Sequence, residues 1–207
     1  MKSIRILFGT LLGVMVVVSL AGASCKRGAT IDASSLVDSS AFIGNADAVV
    51  TIVEFSDYLC PACKVAHDVI GPVLDEYDPS EVRFVHKDFL IHGPELAIAA
   101  RCVLAQDESL YWEYGNYLFN VQGQVTPDNI LDKTKGLMAD KDNFDYATFE
   151  SCYQNQETKD AVMEDHDRGV DIGVNSTPTF IINNRVIKGA PREASQFRQV
   201  IDELLAL

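Results

Sequence analysis

The 207 residues are 47% hydrophobic and 23% charged, with 30 acidic side chains against 17 basic ones and a net charge of −13. A chain of this length supports one sizeable core. Its acidic surplus argues against nucleic acid or an anionic membrane surface as a partner and serves solubility instead.

Lys2 and Arg5 precede an apolar run over 6–18, and Ala21-Gly22-Ala23 supplies the small-x-small pattern that a signal peptidase cuts. Residues 1–23 are therefore predicted to be a secretory signal, although the run is almost long enough to persist as an uncleaved membrane anchor. Of the five cysteines, four can pair and Cys25 is the spare. It lies where a lipoprotein signal, here 1–24, would place its lipidated cysteine, but Gly22 stands where such signals usually carry Leu. Cleavage after Ala23 and lipidation at Cys25 both remain open. Both put the mature chain outside the cytoplasm, in a bacterial periplasm or at a cell surface, and lipidation would tether it to a membrane. Residues 24–47, rich in Ser, Ala, Gly and Asp, read as a spacer.

The run AVVTIVEF over 48–55 is β-branched and almost continuously apolar, the pattern of a strand buried on both faces. Ser56-Asp57-Tyr58-Leu59 ends it, and CPAC follows. Beyond Cys63, apolar residues from Val65 to Tyr77 recur at helical spacing, with Gly71-Pro72 predicting a kink midway. A turn at Asp78-Pro79-Ser80 leads into a second strand over 82–86, giving a β-α-β start. The stretch 93–173 then reads as helical throughout, with periodic segments at 96–104, 112–119, 130–138 and 149–162. Strand character returns at 179–182 and 185–188, joined by Asn183-Asn184 as a tight hairpin. A last helix carries Phe197, Ile201 and Leu204 on one face.

A lone CxxC fits half of a zinc site, a structural turn or a redox pair. Zinc needs four ligands, and the sequence offers neither a second CxxC nor an HxxxH; His67, His86, His92 and His166 show no ligand spacing. The chain therefore reads as free of metal. At the amino end of a helix, unpaired N–H groups and the helix dipole stabilise a thiolate, lowering a thiol from about 8.5 to roughly 3.5–7. Cys60 is thus predicted to be the attacking and attacked sulfur, and Cys63, one turn deeper, the resolving one. Glu54 is an acid in an otherwise apolar strand. It reads as a buried relay for the proton that Cys63 gains or loses, or else as a strand-end carboxylate reaching water. Thr177-Pro178 precedes the returning strand, where a cis bond would aim the Thr177 backbone at an extended substrate. Only about 5–6% of X-Pro bonds are cis, so a trans proline starting the strand is the plainer reading of the residues alone.

EFSDYLCPAC, the helical insertion, and STPTFIINNRVIKGAP before a final helix together resemble the DsbA-like branch of the thioredoxin superfamily, over 42–207. The resemblance implies an α/β thioredoxin fold, a central mixed sheet flanked by helices, formed by 48–92 and 174–207 with 93–173 as an inserted all-α domain. It implies catalysis by Cys60, Cys63 and Glu54, substrate binding along Pro61, Ala62, Thr177 and a cis Pro178, and no cofactor beyond the cysteine pair. Cys102 and Cys152 are similar to a second pair in some members, implying a structural disulfide; two buried free thiols are the other reading. Well-known oxidases of the branch have His where this chain has Ala62, implying a less oxidising couple.

The resulting expectation is an exported protein disulfide oxidoreductase that oxidises reduced or unfolded exported proteins, with a membrane thiol oxidase or reductase as redox partner. Reduction or isomerisation of misformed disulfides is the same chemistry in reverse. Isomerases of the superfamily usually carry an N-terminal dimerisation domain, for which 24–47 is too short, so oxidation by a monomer is favoured. A reading from another class is a surface-anchored binding lipoprotein whose CPAC only staples a helix.

Overall fold

A computed structural model describes residues 31–38 and 40–207 of the chain. The predicted secretory signal and the candidate lipidation site Cys25 lie outside the described residues. Three fully buried runs build the centre of a mixed five-stranded sheet. Strand β1 is Phe42–Ile43, β2 is Val50–Ser56, β3 is Val82–Asp88, β4 is Thr179–Ile182 and β5 is Arg185–Lys188, in the order β1-β3-β2-β4-β5. β2 pairs parallel with β3 and antiparallel with β4, which places Glu54 between His86 on one side and Phe180 on the other. Every residue of β2, β3 and β4 is buried.

Because strand side chains alternate, the sheet has two apolar faces. Val50, Ile52, Phe84, Phe180 and Ile182 pack against α1, Pro61–Leu74, and α7, Ala194–Leu205. Val53, Phe55, Val85 and Ile181 cover the other face together with Ala33 and Leu36. That packing corrects the spacer reading for 31–47. Ala33 and Leu36 are buried in a 3-10 turn, Ala33 N–H donates to the Asn183 carbonyl, and Phe42–Ile43 adds an edge strand.

Between β3 and β4 run α2 (Glu95–Leu104), α3 (Glu108–Asn120), α4 (Ile130–Leu137), α5 (Tyr146–Gln154) and α6 (Gln156–Asp171). The periodic segment 149–162 is two helices, not one. Asn155 has extended backbone, ends α5 and caps α6 by accepting from Glu157 N–H, so the polar side chain offers the backbone an alternative to continuing the helix. Pro72 lies in the last turn of α1 rather than at its middle. Gly169 lets α6 press onto the sheet, since a Cβ there would stand 2.7 Å from Phe89 and 3.0 Å from Phe55. Asn183 turns the β4–β5 hairpin at φ 49°, and its side chain accepts from Thr51 N–H.

Cys102 in α2 and Cys152 in α5 are joined by a disulfide with 5.6 Å between Cα atoms. Closing 50 residues in the unfolded chain is worth about 4 kcal/mol in the loop-entropy account. A buried ionic cluster ties the insertion to the sheet. Lys87 Nζ lies 2.8 Å from Asp38 and 2.9 Å from Asp165, and Arg101 bridges Asp88 and Asp165.

Candidate active site

Cys60 is the N-cap of α1, and its carbonyl accepts from Cys63 and Lys64 N–H at 3.0 and 3.2 Å. Pro61, which has no N–H to leave unpaired, starts the helix. Both cysteines are free thiols. Cys60 retains 8% of its surface, whereas Cys63 retains none, so the first cysteine lies nearer solvent than the second. Pro61 is exposed and Ala62 half-buried beside Cys60. The Thr177-Pro178 bond is cis, and the Cys60 thiol points at the Thr177 carbonyl oxygen 3.7 Å away. The β4 entry thus stands directly against the reactive loop.

Glu54 is 4% exposed, one strand residue pair below the loop and facing α1. Burial pushes its carboxyl above the usual carboxylate range, with His86, the nearby Ser56 hydroxyl and His67 pulling part of the way back. The Cys63 thiol is pushed up to about 12, by burial first and by the Glu54 carboxylate second; Ser56, the Asp57 backbone and Thr177 offset this only in part. The buried acid and the buried thiol therefore compete electrostatically, each favouring the protonated form of the other.

Several residues of this site were given no role in it from sequence. Gln122, two residues past α3, donates its amide to the Tyr58 and Cys60 carbonyls at 2.9 and 3.0 Å. Asp57, 4% exposed, accepts from Leu59 N–H through one oxygen and from Ile91 and His92 N–H through the other, fastening the reactive loop to the chain after β3. His86 stacks on Tyr58 at 5.0 Å. Ser56 had a usable signal, because it stands two residues beyond Glu54 on the same face of a strand. Gln122 and His86 had none, since a turn glutamine and a strand register between distant segments leave no periodic trace. Among the described residues, no cluster of three or more His, Cys, Asp or Glu side chains is arranged to hold a metal ion.

Residues 37–203 match the thioredoxin family. Disulfide bond formation protein D of Bacillus subtilis is 31% identical over 164 residues, covering 70% of this chain and 68% of that one. The crystal structure of oxidised BdbD from Bacillus subtilis superposes with a TM-score of 0.70 at 26% identity, over 81% of this chain and 94% of its own. Wolbachia pipientis alpha-DsbA1 gives a TM-score of 0.71 at 19% identity over 84% and 96%, a likeness of fold.

Proposed function

Because the chain belongs to the thioredoxin family and is a DsbA-like thiol-disulfide oxidoreductase, we propose that it works outside the cytoplasm and oxidises the thiols of exported proteins through Cys60 and Cys63. The observation that carries this reading is the unequal burial of the two cysteines at the mouth of α1. A substrate thiolate attacks the Cys60 sulfur of the oxidised pair, the sulfur–sulfur bond breaks, and Cys63 leaves as a thiolate that takes up a proton. A second substrate thiolate then attacks the substrate sulfur of the mixed disulfide. Cys60 departs as a thiolate, stabilised at the helix terminus. The substrate has lost two electrons and the enzyme pair has gained them. A membrane thiol oxidase reverses the second change by passing its own disulfide to Cys60.

Glu54 serves as the proton store for Cys63, and the Thr177 backbone, beside Pro61, Ala62 and Pro178, aligns an extended substrate segment next to Cys60. Ala62 makes the couple less oxidising than a pair with His at that position, within a superfamily span of roughly 150 mV. The reading is tested by equilibrating the Cys60–Cys63 pair with glutathione and by mixing oxidised protein with a dithiol peptide. A potential well above about −300 mV with rapid peptide oxidation is expected. A potential below that value and an unreacted peptide would leave the pair a structural staple.

A further inference from the structure

Ser56 ends β2 on the face that carries Glu54, because strand side chains alternate and the two stand two residues apart. That face packs on α1, whose first turn holds Cys63. Ser56 is 1% exposed, and its backbone is fixed: it pairs with Asp88 across β3, and its carbonyl accepts from Phe89 N–H at 2.8 Å. Asp88 is itself held by Arg101, with His86 beside it. The Ser56 hydroxyl is uncommitted. It lies near enough to the Glu54 carboxyl and to the Cys63 thiol to favour the charged form of each, yet Oγ closes a hydrogen bond with neither. A buried hydroxyl without a settled partner costs stability, and a partner that forms only during the reaction accounts for its retention.

We propose that the Ser56 hydroxyl stabilises the departing Cys63 sulfur, turning to donate a hydrogen bond to it as the Cys60–Cys63 bond opens. The proposal rests on Cys63 being the leaving sulfur, the reading given above. A substrate thiolate attacks Cys60 Sγ, the bond between the two cysteines breaks, and its electron pair passes to Cys63 Sγ. Negative charge therefore appears on a residue with no exposed surface, beside a buried carboxyl. A thiol leaves more slowly the higher its pKa, and the Cys63 thiol is pushed up to about 12. A donor aimed at the sulfur offsets this at the moment charge develops. Ser56 keeps its own proton throughout; the proton that then neutralises Cys63 comes from Glu54. In the closing direction the same hydrogen bond steadies the Cys63 thiolate before it attacks Cys60.

The other groups facing Cys63 are Glu54 from β2, the Asp57 backbone from the reactive loop and the Thr177 side chain before β4. Near neutrality Cys63 is a disulfide sulfur before opening and a protonated thiol after it, so its charge exists only in passage. Loss of the hydroxyl should then slow opening and closing alike and leave their ratio unchanged.

The test times one step in both directions near neutral pH by acid quench. Oxidised protein is mixed with reduced glutathione to open the pair, and the Cys60–glutathione mixed disulfide is left to close with release of glutathione. Ser56→Ala is expected to slow opening and closing each by about tenfold, the worth of one hydrogen bond to a charged group, with the ratio of the two rates and the reduction potential as in the wild type. Ser56→Thr, which keeps a hydroxyl on the same carbon, should recover most of both rates. In a Glu54→Gln background Ser56→Ala should cost the same factor again. Thermal unfolding of each oxidised variant separates a lost donor from a damaged fold. Wild-type rates in Ser56→Ala would overturn the proposal, as would a loss that shows only in the ratio of the rates. A loss that vanishes in Glu54→Gln would place the hydroxyl on the acid instead of the sulfur and overturn it too. Each of these results leaves the oxidoreductase reading standing, whereas a wild-type pair that glutathione does not open would remove that reading and this proposal together.

Discussion

The side-chain amide of Gln122 donates to the carbonyl oxygen of Cys60 at 3.0 Å, from a residue 62 positions later in the chain. The same nitrogen reaches the Tyr58 carbonyl, so the helical insertion holds the reactive loop on both sides of Leu59. The loop's position therefore depends on the insertion as well as on β2 and α1.

Gln122→Ala releases both carbonyls and is expected to cost about 1–2 kcal/mol, the net worth of one or two hydrogen bonds. On the proposed reading, in which Thr177 aligns a peptide beside Cys60, peptide oxidation should fall further than reaction with a small thiol. Gln122→Glu, with no donor to offer, should be worse than alanine. Urea unfolding and exchange rates with the two kinds of thiol check both effects.

The Cys63 thiol, raised from 9.0 to about 12 in the folded protein, makes the reduced form sensitive to alkali. Below about pH 9 the thiol is protonated whether the chain is folded or not, and no difference arises. As pH rises from there toward 12, the unfolded chain ionises at this sulfur before the folded one does. Reduced protein should therefore lose on the order of 4 kcal/mol across that window. Oxidised protein has no thiol there and should not share the loss. Glu54→Gln removes the second cause of the shift, so its reduced form should lose less. Denaturant melts of the oxidised and reduced forms at successive pH values measure each difference.

Lys87 is 1% exposed and has Asp38 and Asp165 as its partners, so Lys87→Met leaves the buried pair Asp88 and Asp165 with Arg101 as their shared cation. The expected loss stays below the about 3–5 kcal/mol of a wholly unpaired buried charge, since two carboxylates then share one guanidinium. Lys87→Met with Asp165→Leu should recover part of it, as measured by chemical unfolding. Within the same cluster, burial would raise the Asp88 carboxyl, but Arg101 and then His86 outweigh it and hold it near about 2. Its contribution is present above about pH 3.8 and disappears as pH falls through 2.

The elements were legible where chemistry is local. Residues 48–55 read as a two-faced strand because almost every side chain is apolar, and β2 occupies Val50–Ser56. The helix after Cys60 read from its 3.6-residue period, and α1 occupies Pro61–Leu74. The hairpin read from two asparagines, and Asn183 has the positive φ that such a turn asks of it. The same locality misread 149–162 as one helix, since apolar residues flank a polar stretch of helix-compatible side chains while the cap that breaks it at Asn155 is a side-chain to backbone bond. It also misread 31–47 as spacer, because small and polar residues reveal little about whether a neighbour buries them.

What the sequence determined by itself is the order of the four longer strands and of the helices that flank them, and the placing of two cysteines at a helix's first turn, both consequences of local patterns. Tertiary structure alone decided that His86 lies opposite Glu54, that Gln122 returns to Cys60, and that Lys87 finds Asp38 and Asp165. Those pairings join segments tens of residues apart. Their partners are selected by strand register and helix packing, through the burial free energy of the whole core, and no local spacing encodes them.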